Sequence, residues 1–439
     1  MKKQINSIVK AHLVRGALAE LLLLAVCVIP FASGQGQPDM QPENQNPTGF
    51  FCPDCTYPPG WRPGPDMPST GVRMVGVLMS KFYAMGGRSM DGAGHDFTHP
   101  FEYDAINHTW TIKSATYPDN QVSDMACGVL ADNGTAYIYC VGGSAGGQTA
   151  ATNRVFRYNP VTDVIETISS PWPGDSDGIT LPGGFAAFNN NKLYILGGFR
   201  INTGMIDTIW EFTPTTNVWM QKNAVLPVAL GYIPTAVIGN FIYTAGGSTW
   251  DGTTIHDSNY SFAYDPIADS ISAIASIPRP TGETPALAHQ LLPFDPVRMW
   301  VLGGGRDAPN PSNEVDIYDP ASNSWTVGMH LMTARRNFAA ASAECHSWLA
   351  GGYASDGVTP LSSMEIFCFP AATPTPTVTF TPMPTATFTP AATPTATFTP
   401  TPTATVTVSP SPTPTPSETI PPVRATPIPR GRPTPAPRP

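Results

Sequence analysis

The chain has 439 residues with 50 prolines, 39 glycines and 13% charged residues. That composition excludes a helical bundle, because proline and glycine are both poor in helix interiors. The 41% hydrophobic and 10% aromatic content excludes wholesale disorder. The formal net charge is −9 and both ends are basic, so the middle, 35–370, carries about −15. Such a domain is a poor nucleic-acid binder, since phosphate contacts need clustered Lys and Arg.

Residues 1–34 read as an export signal. Lys2, Lys3, Lys10 and Arg15 precede an apolar run from Leu21 to Phe31, followed by Ala32, Ser33 and Gly34, the order of a signal peptide. The run is short for a membrane span. Residues 35–51 read as a flexible lead-in. The location implied is secreted or cell surface, with no membrane span after signal removal.

From about 52 to 370 the chain repeats. Six double glycines, Gly86-Gly87, Gly142-Gly143, Gly197-Gly198, Gly246-Gly247, Gly303-Gly304 and Gly351-Gly352, each follow a short β-type run. Their separations are 56, 55, 49, 57 and 48 residues. An aromatic follows each first glycine by 15 to 18 positions: Tyr103, Tyr158, Phe212, Tyr264, Tyr318 and Phe367. Three of these are followed seven residues later by Trp110, Trp219 and Trp325.

This pattern resembles the kelch repeat, a unit of roughly 50 residues that forms one four-stranded propeller blade. The resemblance implies an all-β, six-bladed kelch-type β-propeller. After Phe367 the sequence enters a Thr/Pro-rich stretch and offers no Trp-bearing fourth strand. Trp61 stands in for it, so the segment around 56–62 is expected to supply the outer strand of blade six and close the ring.

Six cysteines remain once Cys27 leaves with the signal, an even number that favours disulfides in an exported protein. Asp132-Asn133-Gly134-Thr135 reads as a two-residue hairpin turn. Counting outward makes Cys127 and Cys140 a directly opposed, non-hydrogen-bonded pair within bridging reach. Cys52, Cys55, Cys345 and Cys368 map to the place where the ring closes. Two bridges are expected there, Cys55–Cys368 and Cys52–Cys345 first among three pairings.

Residues 371–439 hold 20 of the prolines, mostly in Thr-Pro units. Repeated proline removes donors and favours extended backbone, so this stretch reads as a disordered spacer.

The kelch resemblance also implies a binding face, lined by the loops after each double glycine and those entering each innermost strand. The first set offers Arg88, Arg200 and Arg306; the second offers Arg279 and Arg335, with Arg73 and Arg336 nearby. Guanidiniums at such a mouth suit carboxylate or phosphate recognition. His95 and His99, with Asp91 and Asp96, read as polar loop residues rather than metal ligands, and Asp175-Ser176-Asp177-Gly178 as a turn. No catalytic residue, metal or cofactor is assigned. The reading is a monomeric module that binds a protein or glycan at the cell exterior rather than an enzyme. The alternative is a carbohydrate-modifying enzyme like sialic-acid epimerases or mutarotases, an analogy of architecture alone.

Overall fold

The computed structural model describes residues 60–291, 295–343 and 346–368. In each repeat the second strand is apolar on nearly every position, as in Phe82–Met85, and all four of those residues are buried. A strand covered on both faces reads as a continuous apolar run. The fourth strand, as in Thr109–Ile112, is largely exposed. This gradient places second strands between stacked sheets and fourth strands on the rim.

Six four-stranded antiparallel sheets result. Blade one is Val75–Leu78, Phe82–Met85, Phe101–Asp104 and Thr109–Ile112; blade two is Ala126–Asp132, Thr135–Val141, Val155–Asn159 and Val164–Ile168. Blade three is Thr180–Phe188, Lys192–Arg200, Gly204–Thr213 and Val218–Val225; blade four is Thr235–Ile238, Phe241–Ala245, Ser261–Asp265 and Ser270–Ala273. Blade five is Ala286–His289, Arg298–Gly304, Ser312–Asp319 and Ser324–Val327; blade six is Ala339–Ala343, His346–Ala350 and Met364–Cys368. The first strands of successive blades touch around the ring, and blade six touches blade one. Blade four adds a two-stranded hairpin, Ser248–Trp250 with Ile255–Asp257. The helical content among the described residues is one 3-10 turn, Pro173–Asp175.

Gly60–Pro63 completes blade six by pairing with Met364–Cys368, Trp61 opposite Phe367. This matches the tryptophan-over-aromatic register of Trp110 with Tyr103, Trp219 with Phe212 and Trp325 with Tyr318. The expected segment is therefore the closing one, with its strand at 60–63; residues 56–59 lie outside the described residues.

The repeat residues also stitch blades together. Each tryptophan indole donates to a carbonyl in the preceding blade's trailing loop: Trp110 to Pro65, Trp219 to Ser170, Trp325 to Ala275 and Trp61 to Met329, at 2.7–3.1 Å. The Tyr158 and Tyr264 hydroxyls donate to Asp163 and Asp269. Those carboxylates in turn accept backbone N–H groups of the preceding blade, Ser114 and Ala115 for Asp163, Asn223 and Ala224 for Asp269.

The double glycines sit where backbones meet. Gly86 has φ +63°, and a Cβ there would lie 2.1 Å from the Val122 carbonyl oxygen. Only glycine combines that left-handed conformation with that approach.

Cys127 and Cys140 are paired across the Asn133-Gly134 turn, Cα atoms 4.2 Å apart, and form a disulfide. Cys368 is disulfide-bonded too. Cys52, Cys55 and Cys345, the signal region and the Thr/Pro-rich stretch lie outside the described residues.

Candidate functional site

A cavity of about 150 Å³ lies on the ring axis, lined from all six blades by first strands and the loops entering them, blade two contributing only its loop residues Asp124 and Met125. Its walls are apolar, with Met74, Met125, Phe185, Ile233 and Phe338. Its rim is polar, with Arg73, Asp124, Tyr232, Glu283 and Asn337. The rim residues stand opposite the second glycine of their blades, two or three positions ahead of the first strand. All five have positive φ, between 49° and 58°. Left-handed backbone is uncommon for Arg, Tyr and Glu and turns their side chains toward the axis.

Charges at the rim are paired. Arg73 Nη1 lies 3.0 Å from Asp124, and its Nε donates to the Tyr353 hydroxyl at 3.2 Å. Burial opposes the Arg73 charge. Asp124, with Tyr353, Tyr232 and Asp91, outweighs that cost and holds the guanidinium well above its ordinary pKa. Tyr353 donates to Asp91 at 2.7 Å, and Asp91 also faces Arg88 at 3.4 Å. Glu283 is fully buried and takes both Arg306 and Arg336, plus the Asn337 amide at 3.1 Å. Arg336 stacks over the Tyr353 ring at 4.7 Å. Burial, then repulsion from Arg73, lowers the Arg336 pKa. Burial pushes the Tyr232 hydroxyl up to about 12.

The five arginines singled out from sequence separate into groups. Arg88 and Arg306 reach the mouth, through Asp91 and Glu283. Arg200 is partly exposed and held by Asp177 at 2.7 Å. Arg279 and Arg335 turn away from the axis into the blades. Arg335 is fully buried and donates to the Gly351 carbonyl, Ser363 and Glu365. Arg279 donates to the Gly303 carbonyl at 2.9 Å and to Asp316 at 2.8 Å. Arg154 does the same for Gly142 at 3.0 Å. A left-handed glycine swings its carbonyl out of the ladder, and a guanidinium with five donors satisfies that buried acceptor. Arg279 and Arg335 are thus struts of the fold, a role that spacing alone does not separate from binding. Sequence reasoning missed Asp124, Tyr232, Glu283, Asn337 and Tyr353. For the first four the signal was position, a residue just ahead of a first strand, but its identity changes in every blade; Tyr353 instead follows directly on Gly351-Gly352.

The loop after the first double glycine is also tied down. Asp96 accepts the Gly146 N–H, and the His99 ring bonds the Ala115 carbonyl at 3.0 Å. A buried imidazole, His289, lies away from the rim, at the far end of a first strand. It is buried against Trp300 and Phe367. Burial, with His346 nearby, pushes its pKa down to about 4. The unfolded chain takes up this proton near pH 6.5 and the folded one only near pH 4. The associated stability is therefore complete above pH 6.5 and is lost as pH falls between these values, about 3 kcal/mol in all. Urea unfolding from pH 7 to 4 should show a smaller fall for His289→Gln than for the parent chain; identical slopes would refute this.

Six glycine-paired blades, aromatic and tryptophan in register, and a ring closed by the N-terminal strand define the class: the chain is a kelch-repeat β-propeller. The family model of the Kelch motif matches residues 298–332, in blade five. Kelch repeat and BTB domain-containing protein 1 of cowpox virus (strain GRI-90 / Grishak) is 26% identical over 258 residues, covering 58% of this chain and 41% of that protein. Kelch-like protein terF of Aspergillus terreus is 27% identical over 225 residues, covering 49% of this chain and 47% of that protein. The match thus spans less than half the length of these curated relatives. The solved structure of YjhT superposes with a TM-score of 0.53 at 15% identity, over 69% of this chain and 95% of that one. It shares the fold. Among the described residues no helix is long and apolar enough to cross a membrane.

Proposed function

We infer that this propeller is an interaction module whose axial mouth receives a protein partner, and that it works at the cell exterior. The observation that carries this reading is the rim: Arg73, Asp124 and Glu283 are preset by left-handed backbone, Arg306 and Arg336 are held by Glu283, and Tyr353 braces Arg73 and Arg336. Preorganised charge of both signs, with every rim guanidinium already facing a carboxylate, favours a partner bringing both signs over a free anion, because complementary pairs set specificity. Arg306 and Asp91 are the reachable members, with side chains 32% and 61% exposed. Export is supported by the basic, apolar and small-residue order of residues 1–34 and by the Cys127–Cys140 disulfide.

The sugar-enzyme alternative needs a carboxylate or imidazole free to exchange a proton at the cavity. Asp124 and Glu283 are instead occupied by guanidiniums. The test is a binding screen of the full chain against surface proteins and glycans, repeated with Asp91→Ala, Arg306→Ala and, as control, Arg200→Ala. A protein ligand weakened about tenfold by the first two and untouched by the third is expected. Sugar turnover, or binding indifferent to both mouth variants, would overturn the reading.

A further inference from the structure

The rim is also a belt of backbone hydrogen bonds, and it has a gap one residue wide. The left-handed residues hand their N–H groups round the axis: Asp124 to the Arg73 carbonyl at 3.1 Å, Arg73 to Asn337 at 2.8 Å, Asn337 to Glu283 at 2.6 Å and Glu283 to Tyr232 at 3.2 Å. Each blade contributes one residue, which donates one way and accepts the other. Blade three breaks the sequence. Its residue opposite the second glycine is Pro182, paired with Gly198. Proline has no N–H and cannot adopt positive φ. Gly198 correspondingly is the one glycine of the twelve without positive φ. The blade's first strand then runs on from Thr180 without the interruption seen in its neighbours.

The consequence is a free donor and a free acceptor facing the same cavity. Among the described residues the Tyr232 N–H and the Asp124 carbonyl have no hydrogen-bond partner. Both residues line the cavity, with Pro182 and Gly183 between them. By the pattern of the other five blades, the missing element is an N–H that donates to Asp124 and a C=O that accepts from Tyr232. One peptide residue supplies both.

We propose that the gap at Pro182 is a main-chain recognition slot, in which one residue from a loop tip of the partner polypeptide takes the place blade three leaves open in the belt. The residue suited to it is glycine or asparagine, since the belt geometry is left-handed. The apolar floor of Met125, Phe185 and Ile233 excludes water and strengthens both bonds. This rests on the mouth being the binding face and adds what is read there.

The probe is a blocked glycine, N-acetylglycine methylamide, titrated into the full 15N-labelled chain while the Tyr232 amide resonance is followed. N-acetylsarcosine methylamide, which lacks the residue's N–H, is the comparison. The Tyr232 resonance should move with the glycine probe, and the sarcosine probe should bind about fivefold to tenfold more weakly, the loss of one hydrogen bond. Pro182→Asn restores an N–H and tolerates positive φ, so it should shift the Tyr232 resonance without probe and abolish the response to it. Equal binding of the two probes, or an unmoved Tyr232 resonance at saturation, overturns the slot, and neither needs a variant to fold. If a protein partner still depends on Arg306 and Asp91 in that event, the mouth stands and the slot alone falls.

Discussion

Replacing Glu283 by glutamine is expected to lower the unfolding free energy by about 3–5 kcal/mol, the usual cost of removing one partner from a buried ion pair. The carboxylate is fully buried and holds Arg306, Arg336 and Asn337. Arg336 is itself largely buried, and among the described residues its side chain reaches, beyond Glu283, only the Gly357 carbonyl and the Tyr353 ring. Without Glu283 its charge is left in a poorly solvated site beside Arg73. The variant should also loosen the rim, because the Glu283 carboxylate ties Arg306, Arg336 and the Asn337 amide together. Urea unfolding of Glu283→Gln, Arg336→Met and the double variant checks this. The double variant should be more stable than Glu283→Gln alone, since it removes the orphaned charge. A single-variant loss below about 1 kcal/mol, the range of an exposed pair, would show that the site is solvated.

Trp61→Ala is expected to cost about 3–5 kcal/mol, as for other buried tryptophans, and to make the protein prone to association. Trp61 is 8% exposed, packs on Phe367 at 5.3 Å and donates to Met329. It anchors the strand that covers the edge of Met364–Cys368. Losing that anchor frays Gly60–Pro63 and bares a strand edge able to pair with another chain. Denaturant unfolding gives the first effect and light scattering the second. A monodisperse variant of parental stability would show that the ring does not depend on this closure.

The blade count was legible in the sequence because it depends on residues with few substitutes. Gly86 must be glycine, since its φ and the Val122 carbonyl leave no room for a side chain. Tyr318 and Trp325 recur in register because each fills the same gap between sheets and ends in a polar atom needing the same partner. The Cys127–Cys140 pairing was legible because a two-residue turn fixes register. The mouth was only half legible. Arg306 was found there, but Arg335 and Arg279 were grouped with it although they cap the Gly351 and Gly303 carbonyls. Arg335 and Arg336 are adjacent in sequence and point to opposite duties, one into the blade and one to the axis.

By itself, then, the sequence determined the number of blades, the closing tryptophan and the Cys127–Cys140 hairpin. These follow from local backbone geometry and from periodic apolar burial, both of which act over a few residues. Only the tertiary structure decided which charges meet at the axis and where the belt opens. Glu283 and Arg306 come from two separate loops of blade five and Arg336 from blade six, and Pro182 acquires meaning only beside Tyr232 and Asp124. Electrostatic pairing and hydrogen-bond closure depend on distances across the ring, which no local pattern encodes.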